Sequence, residues 1–169
     1  MTLPATKALA HWSALPLRLI VGYGFVAHGY AKLARGPDVF IDILQAIGVP
    51  LPTVMAWATI VVEVVGGLAI LFGAFVAWAS VPMATVLLVA AFTVHLPNGF
   101  SSIKLLSVTS AGARFGQPGY EVDLLYLACL AALVLGGAGP FALDGLNGGN
   151  GKHERKSDEP NRRSRWRRP

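Results

Sequence analysis

An acidic side chain, Glu63, stands inside an otherwise apolar run, residues 53–77, between Val61-Val62 and Val64-Val65 and just before Gly66-Gly67. A helix of that length crosses a bilayer, and a carboxylate near its centre costs about 2.5 to 3.5 kcal/mol on insertion scales unless it is neutralised or paired. The run therefore places a polar site inside a membrane. Composition points the same way: 54% of the 169 residues are hydrophobic and 14% charged, a mixture that a water-facing globule of this size would not bury.

Four apolar segments, 15–33, 53–76, 78–96 and 122–141, are long enough to cross a hydrocarbon core of about 30 Å at about 1.5 Å per helical residue. The expected fold is all-α: a four-transmembrane-helix bundle with a short interfacial helix and a disordered basic C-terminal tail. Lys7 precedes the first segment as in a secretory signal. However, Arg18, His28 and Lys32 interrupt its apolar core and no small-residue cleavage site follows, so it reads as a mature helix. Between the first two segments, Pro37 opens a short helix and Gly48 closes it. Phe40, Ile43, Leu44 and Ile47 share one face and Asp38, Asp42 and Gln45 the other, the pattern of a helix lying in the membrane interface. The second and third segments, joined around residues 73–80, form a tight antiparallel hairpin. The longest connection, 97–120, is rich in Gly, Ser and Pro and reads as an irregular loop.

Three regions follow: an N-terminal cytoplasmic segment at 1–14, the membrane domain at 15–145, and an Arg-rich tail at 146–169. From Lys152 to Arg168 there are eight Lys and Arg against three acidic residues, so the net charge of +5 resides wholly in the tail. By the positive-inside bias the C-terminus is cytoplasmic, and four spans bring the N-terminus to the same side of the plasma (inner) membrane. The tail is either a solvated anchor or rests on anionic lipid headgroups. Nucleic acid is not an expected partner, because no folded reader stands beside the basic run. Cys129 is the single cysteine, which excludes an intrachain disulfide, a CxxC pair and a cysteine metal cage.

With each span's midpoint taken as zero, Glu63 lies at the centre, His28 about 6 Å outward, and Lys32, His95 and Asp123 about 12 to 13 Å outward, with Glu121 slightly beyond. At 100° per residue, Arg18, Gly22, Phe25, Gly29 and Lys32 share a stripe with His28 at its edge, and Ala56, Thr59, Glu63, Gly67, Ile70 and Ala74 form a matching stripe. Small residues beside charged ones let helices approach closely, so both stripes are expected to face inward. Each polar residue also has a plainer reading. Arg18 and Lys32 sit near helix ends, where long side chains snorkel to the interface. His95 would serve as a helix-ending interfacial histidine. Glu63 is too deep to snorkel, so it is either protonated or paired with His28 or another interior group.

The ordered set Arg18, Gly22, Phe25, His28-Gly29 and Lys32-Leu33; Glu63, Gly66-Gly67-Leu68 and Leu71-Phe72-Gly73; His95-Leu96-Pro97-Asn98-Gly99-Phe100; Gly119-Tyr120-Glu121; and Gly139-Pro140 with Leu143-Asp144 resembles the DoxX family of small membrane proteins. The resemblance covers about 15–144 and departs from the family pattern at 101–118 and at Phe141-Ala142. It implies a four-helix membrane protein, and part of the family is linked to quinone oxidoreductases acting on reduced sulfur compounds. On that footing the chain is expected to be a membrane subunit of a quinone-linked oxidoreductase. Glu63, His28 and His95 are then the candidate catalytic residues, exchanging protons with a quinone headgroup. Lys32, Asn98, Glu121 and Arg18 are the candidate substrate- or quinone-binding residues, Lys32 attracting an anion such as thiosulfate. No metal site is expected. With no iron–sulfur cysteines and no nucleotide loop, electrons would have to come through redox partner subunits. Membrane lipid is the other expected contact, and self-association is left open. The alternative is a non-enzymatic scaffold, assembly factor or small-molecule or proton transporter, in which the same groups lock helices together or bind a proton.

Overall fold

The computed structural model describes residues 11–147. All but the edges of the segments expected at 1–14 and 146–169 lie outside the described residues.

Helix α1 spans Ala14–Arg35 and α2 spans Pro37–Ala46, with Gly36 between them and Pro37 opening the second helix at a position that needs no donor. Helix α3 is the rod Pro52–Phe72, and α4 is the rod Val76–Asn98. Both are long and apolar enough to cross a membrane. Each contains a π-helical turn, Val62–Gly66 in α3 and Ala91–His95 in α4, and α4 ends in a 3₁₀ turn at Leu96–Asn98. Helix α5 spans Glu121–Gly136, and the short α6 spans Leu143–Asn147.

Two expectations are corrected. The connection 97–120 is not irregular throughout: β1 (Leu105–Thr109) pairs antiparallel with β2 (Gly112–Phe115), so the mostly helical chain also carries one β-hairpin. The last apolar segment does not continue to 141, because helix α5 ends at Gly136 and Gly137 adopts φ 85°. There the chain turns back, which frees the carbonyls of Ala138 and Pro140 for another partner.

That partner is Arg18, only 2% exposed. Its Nε donates to the Ile70 carbonyl (3.1 Å), Nη2 to Leu71 (2.7 Å), and Nη1 to both Ala138 (3.1 Å) and Pro140 (2.9 Å). Three of the four carbonyls lie at or just beyond helix ends, where main-chain acceptors lack intrahelical donors. Asp144 completes the arrangement from the other side: its carboxylate accepts from the N–H groups of Phe75 (2.7 Å) and Val76 (3.1 Å) at the start of α4, and its own N–H donates to the Gly73 carbonyl (3.0 Å). The α3–α4 turn is made at Gly73, whose φ of 64° and close neighbours, Ala142 and the Arg18 guanidinium, leave no room for a side chain. One end of the molecule is thus clasped shut.

Helices α1 and α3 approach backbone to backbone. A Cβ at Gly67 would stand 2.9 Å from the Gly22 carbonyl oxygen, and one at Gly29 would stand 3.1 Å from Glu63 Cβ. Around this contact Val21, Phe25, Ile70, Met83, Leu87, Leu130 and Leu133 form the buried core. The opposite faces expose Leu19, Ile20, Tyr23, Val61, Val65, Phe72, Trp78, Phe92 and Leu125. So broad an apolar exterior is the surface of a membrane protein rather than a soluble one.

Candidate functional site

At the end opposite the clasp, a cavity of about 610 Å³ opens between the helices. Helix α1 supplies His28 and Lys32, α3 Glu63, α4 Leu87 and His95, and α5 Asp123 and Tyr126; Phe40 and Ile43 of α2 and Pro118-Gly119 close the wall. The lining is mostly apolar with a few convergent polar groups, the usual make-up of a small-molecule site.

Two acid–base pairs stand in it. Lys32 Nζ donates to both oxygens of Glu63, each at 2.6 Å, and lies 4.9 Å from the centre of the Phe40 ring. His95 Nδ1 and Asp123 Oδ2 are 2.6 Å apart. The pairs are built alike: in each the acid is buried (side chains 7% exposed for Glu63 and 6% for Asp123) and the base is more open (22% for Lys32 and 26% for His95). A buried carboxylate orients a base that faces the cavity. With Nδ1–H donating to Asp123, the second ring nitrogen of a neutral His95 is left as an acceptor, and in the imidazolium it is a donor.

Local backbone geometry positions both pairs. Glu63 lies in the π turn of α3 and His95 closes the π turn of α4, so each pair draws one member from a turn with an extra residue. Such turns re-aim side chains and recur at functional sites. Asp123 sits in the first turn of α5, where a negative charge is favoured by the helix N-terminus. Tyr126, one turn further on, packs edge-on against Phe25, ring centres 5.8 Å apart, and its hydroxyl rests on Gly24.

The structure brings together four of the residues expected from sequence, Glu63, His28, Lys32 and His95, in one cavity. Glu63 is paired with Lys32, not with His28. His28 is an exposed member of the lining. The other three are elsewhere. Arg18 belongs to the clasp, about 21 Å along α1 from Lys32 at 1.5 Å per residue, and its donors are occupied by main-chain carbonyls. It neither snorkels nor reaches the cavity. Asn98 donates to the carbonyls of Val94 (3.3 Å) and Pro118 (3.2 Å), and Glu121 accepts from Ser102 N–H (2.9 Å). Both hold the base of the β-hairpin rather than the cavity wall. Asp123, absent from the expected set, is a member of the site; its sequence-derived depth, equal to that of His95, was the available signal.

Comparison with known proteins follows the same lines. The DoxX family model matches residues 13–96, which include α1 to α3 and α4 as far as the 3₁₀ turn. A Haemophilus influenzae protein of uncharacterized function is 29% identical over 128 residues, covering 76% of this chain and 85% of its own. A Bacillus subtilis protein named as a provisional oxidoreductase, CatD, is 29% identical over 141 residues, covering 80% of this chain and 91% of its own. No solved structure matches.

Proposed function

Since the chain belongs to the DoxX family of membrane proteins, we propose that it is a four-span plasma-membrane subunit of a quinone-linked oxidoreductase, with both termini cytoplasmic. Helices α3 and α4 meet the length and composition of spans by themselves. Helix α1 has 22 residues, about 33 Å at 1.5 Å per residue, and turns Arg18 and Lys32 inward while presenting Leu19, Ile20, Tyr23 and Tyr30 to lipid. Helix α5 is shorter, 16 residues or about 24 Å at 1.5 Å per residue. Exposed Trp12, Phe75, Trp78 and Phe141 gather at the clasped end, as interfacial aromatic residues do.

One observation carries the functional reading: two bases, each backed by a buried carboxylate, face one apolar-walled cavity. The residues fit a quinone headgroup, which has a flat apolar ring and two carbonyl oxygens that accept hydrogen bonds. Phe40, Ile43 and Leu87 supply apolar wall, and Lys32, His95 and His28 supply donors. When bound, a quinone would supply two-electron, two-proton redox chemistry, with electrons delivered by a partner subunit. Lys32 would hold one quinone oxygen, and it keeps the Glu63 carboxylate at the cavity wall. His95, its ring fixed by Asp123, holds or passes a proton at its second ring nitrogen. An anionic reduced-sulfur substrate would compete with the Glu63 carboxylate for Lys32. The name carried by the Bacillus subtilis relative is consistent with this class.

A second reading has its own support. Among the described residues no buried side-chain nitrogen or oxygen lacks a partner, so the pairs are also complete as locks between helices in a non-enzymatic module. Purification from native membranes in mild detergent, with identification of bound lipids and proteins, separates the two. A stoichiometric quinone and a redox subunit are expected, and a quinone-free preparation whose host complex is unaffected by Glu63→Gln would leave the scaffold reading.

A further inference from the structure

The β-hairpin has two unlike faces. Opposed residues of an antiparallel pair share a face and neighbours alternate, and a one-residue irregularity at Leu106, between Leu105 and Ser107, resets that alternation in β1, so the register Val108↔Ala113 and Leu105↔Phe115 puts Leu105, Val108, Ala113 and Phe115 on one side. Ser107↔Arg114 and Thr109↔Gly112 form the other. Both strands are exposed along their whole length, and Ile103 and Leu106 extend the uncovered apolar surface. An isolated two-stranded hairpin in water is at best marginally stable.

The element is nevertheless firmly rooted. The N–H groups of Gly116, Gly119 and Glu121 donate to the carbonyls of Lys104, Ser101 and Phe100, and Ser102 N–H donates to Glu121. A Cβ at Gly119 would collide with the Gly99 carbonyl oxygen. The root joins the ends of α4 and α5, whose exposed Phe92 and Leu125 continue the apolar surface below it. Residues 99–118 contain Lys104 and Arg114 and no acidic residue.

We propose that the hairpin is a lipid-docking element: its Leu105–Val108–Phe115 face lies in the headgroup layer, and Lys104, together with Arg114 reaching past the strand edge from the opposite face, binds the phosphates of anionic phospholipid. The proposal rests on α4 and α5 being spans, since that places the root at the bilayer surface. Apolar continuity with the lipid-facing belt, and the two cations of residues 99–118 with no acidic residue among them, select anionic lipid as the occupant, which on the proposed orientation is that of the outer leaflet.

The test uses the full chain with Cys129→Ala, reconstituted in liposomes of phosphatidylcholine with increasing phosphatidylglycerol. Spin labels are placed at Val108→Cys, Thr109→Cys and, within α4, Val89→Cys. The expected result is a label at 108 that is accessible to oxygen and shielded from an aqueous nickel chelate, with the reverse at 109. Lys104→Gln and Arg114→Gln should each raise the phosphatidylglycerol fraction needed for half-maximal shielding at 108 about fivefold. Equal exposure of 108 and 109 to the chelate, with 89 shielded, overturns the proposal and leaves the spans intact. Exposure at 89 as well overturns the spanning reading and this proposal with it. Shielding of 108 in native membranes but not in liposomes assigns the face to a protein partner and also overturns it.

Discussion

Removing either partner of the Lys32–Glu63 pair should destabilise the protein, and the two losses should differ. At 2.6 Å from both oxygens, the gross attraction at an effective dielectric of 20 is about 6 kcal/mol. Most of this is offset by the cost of taking both ions out of water, so replacing a buried pair by apolar residues is close to neutral while stripping one partner costs about 3–5 kcal/mol. Exposure decides which loss is larger. Lys32→Met strands a carboxylate that is 7% exposed, and the full penalty of about 3 kcal/mol or more is expected. Glu63→Leu strands an ammonium that is 22% exposed and rests on Phe40. Its long stem can turn to the cavity mouth, so about 1–2 kcal/mol is expected. The double variant should return to within about 1 kcal/mol of the parent. Reversible unfolding in mixed micelles, run as a double-mutant cycle, measures these terms. Additive single losses would refute the coupling, and a Glu63→Leu penalty larger than that of Lys32→Met would refute the exposure argument.

Arg18→Lys retains the charge but cannot bridge the carbonyls of α3 and those beyond α5. A loss of about 3 kcal/mol or more is expected in the same unfolding assay, from several charge-assisted hydrogen bonds. Gly67→Val forces α1 away from α3 at the Gly22 carbonyl and should cost about 1–3 kcal/mol; an unchanged melting temperature would count against the close approach. Asp123→Asn keeps the fold but removes the charge that orients His95, so quinone-dependent turnover in native membranes should fall about 10²-fold. Reporter fusions at Gly151 should report the cytoplasm, and an external signal would reverse the proposed orientation.

The apolar runs and the inward stripes were legible because membrane burial imposes a simple periodic pattern. The partner of Glu63 was not. Levelling helix midpoints set Lys32 far above Glu63, whereas the glycines set the true register: Gly29 abuts Glu63 and Val64, and Gly22 abuts Gly67 and Leu71. Lys32 is then only three positions beyond the level of Glu63, within reach of its side chain. The role of Arg18 was hidden for a different reason. All its partners are main-chain carbonyls, two of them beyond the end of α5, and carbonyls leave no mark in a sequence. The π turns depend on shifted hydrogen bonds rather than on residue type. The hairpin went unread because Gly112 and Gly116, with Ser101, Ser102, Ser107 and Ser110, dilute strands of only five and four residues.

Helix α1 thus carries two inward cations with opposite physical characters, and the difference bears on mechanism. Arg18 is bound to acceptors that cannot titrate and is sealed from solvent. Lys32 is bound to a side-chain carboxylate and opens to a cavity. Alternating access through the bundle would require the clasped end to part, breaking the four Arg18 hydrogen bonds and the Asp144 contacts to α4 in a single step. Charge-assisted bonds of this kind contribute about 1.5–3 kcal/mol each, so an open clasp would be a high-energy state unless new partners replaced them. The exposed Trp12, Phe75, Trp78 and Phe141 at that end carry no hydrogen-bond acceptor that could replace them for Arg18. The geometry weighs against a transporter and favours a one-sided site, loaded and emptied through the mouth beside Lys32 and His95, with the clasp as its fixed floor.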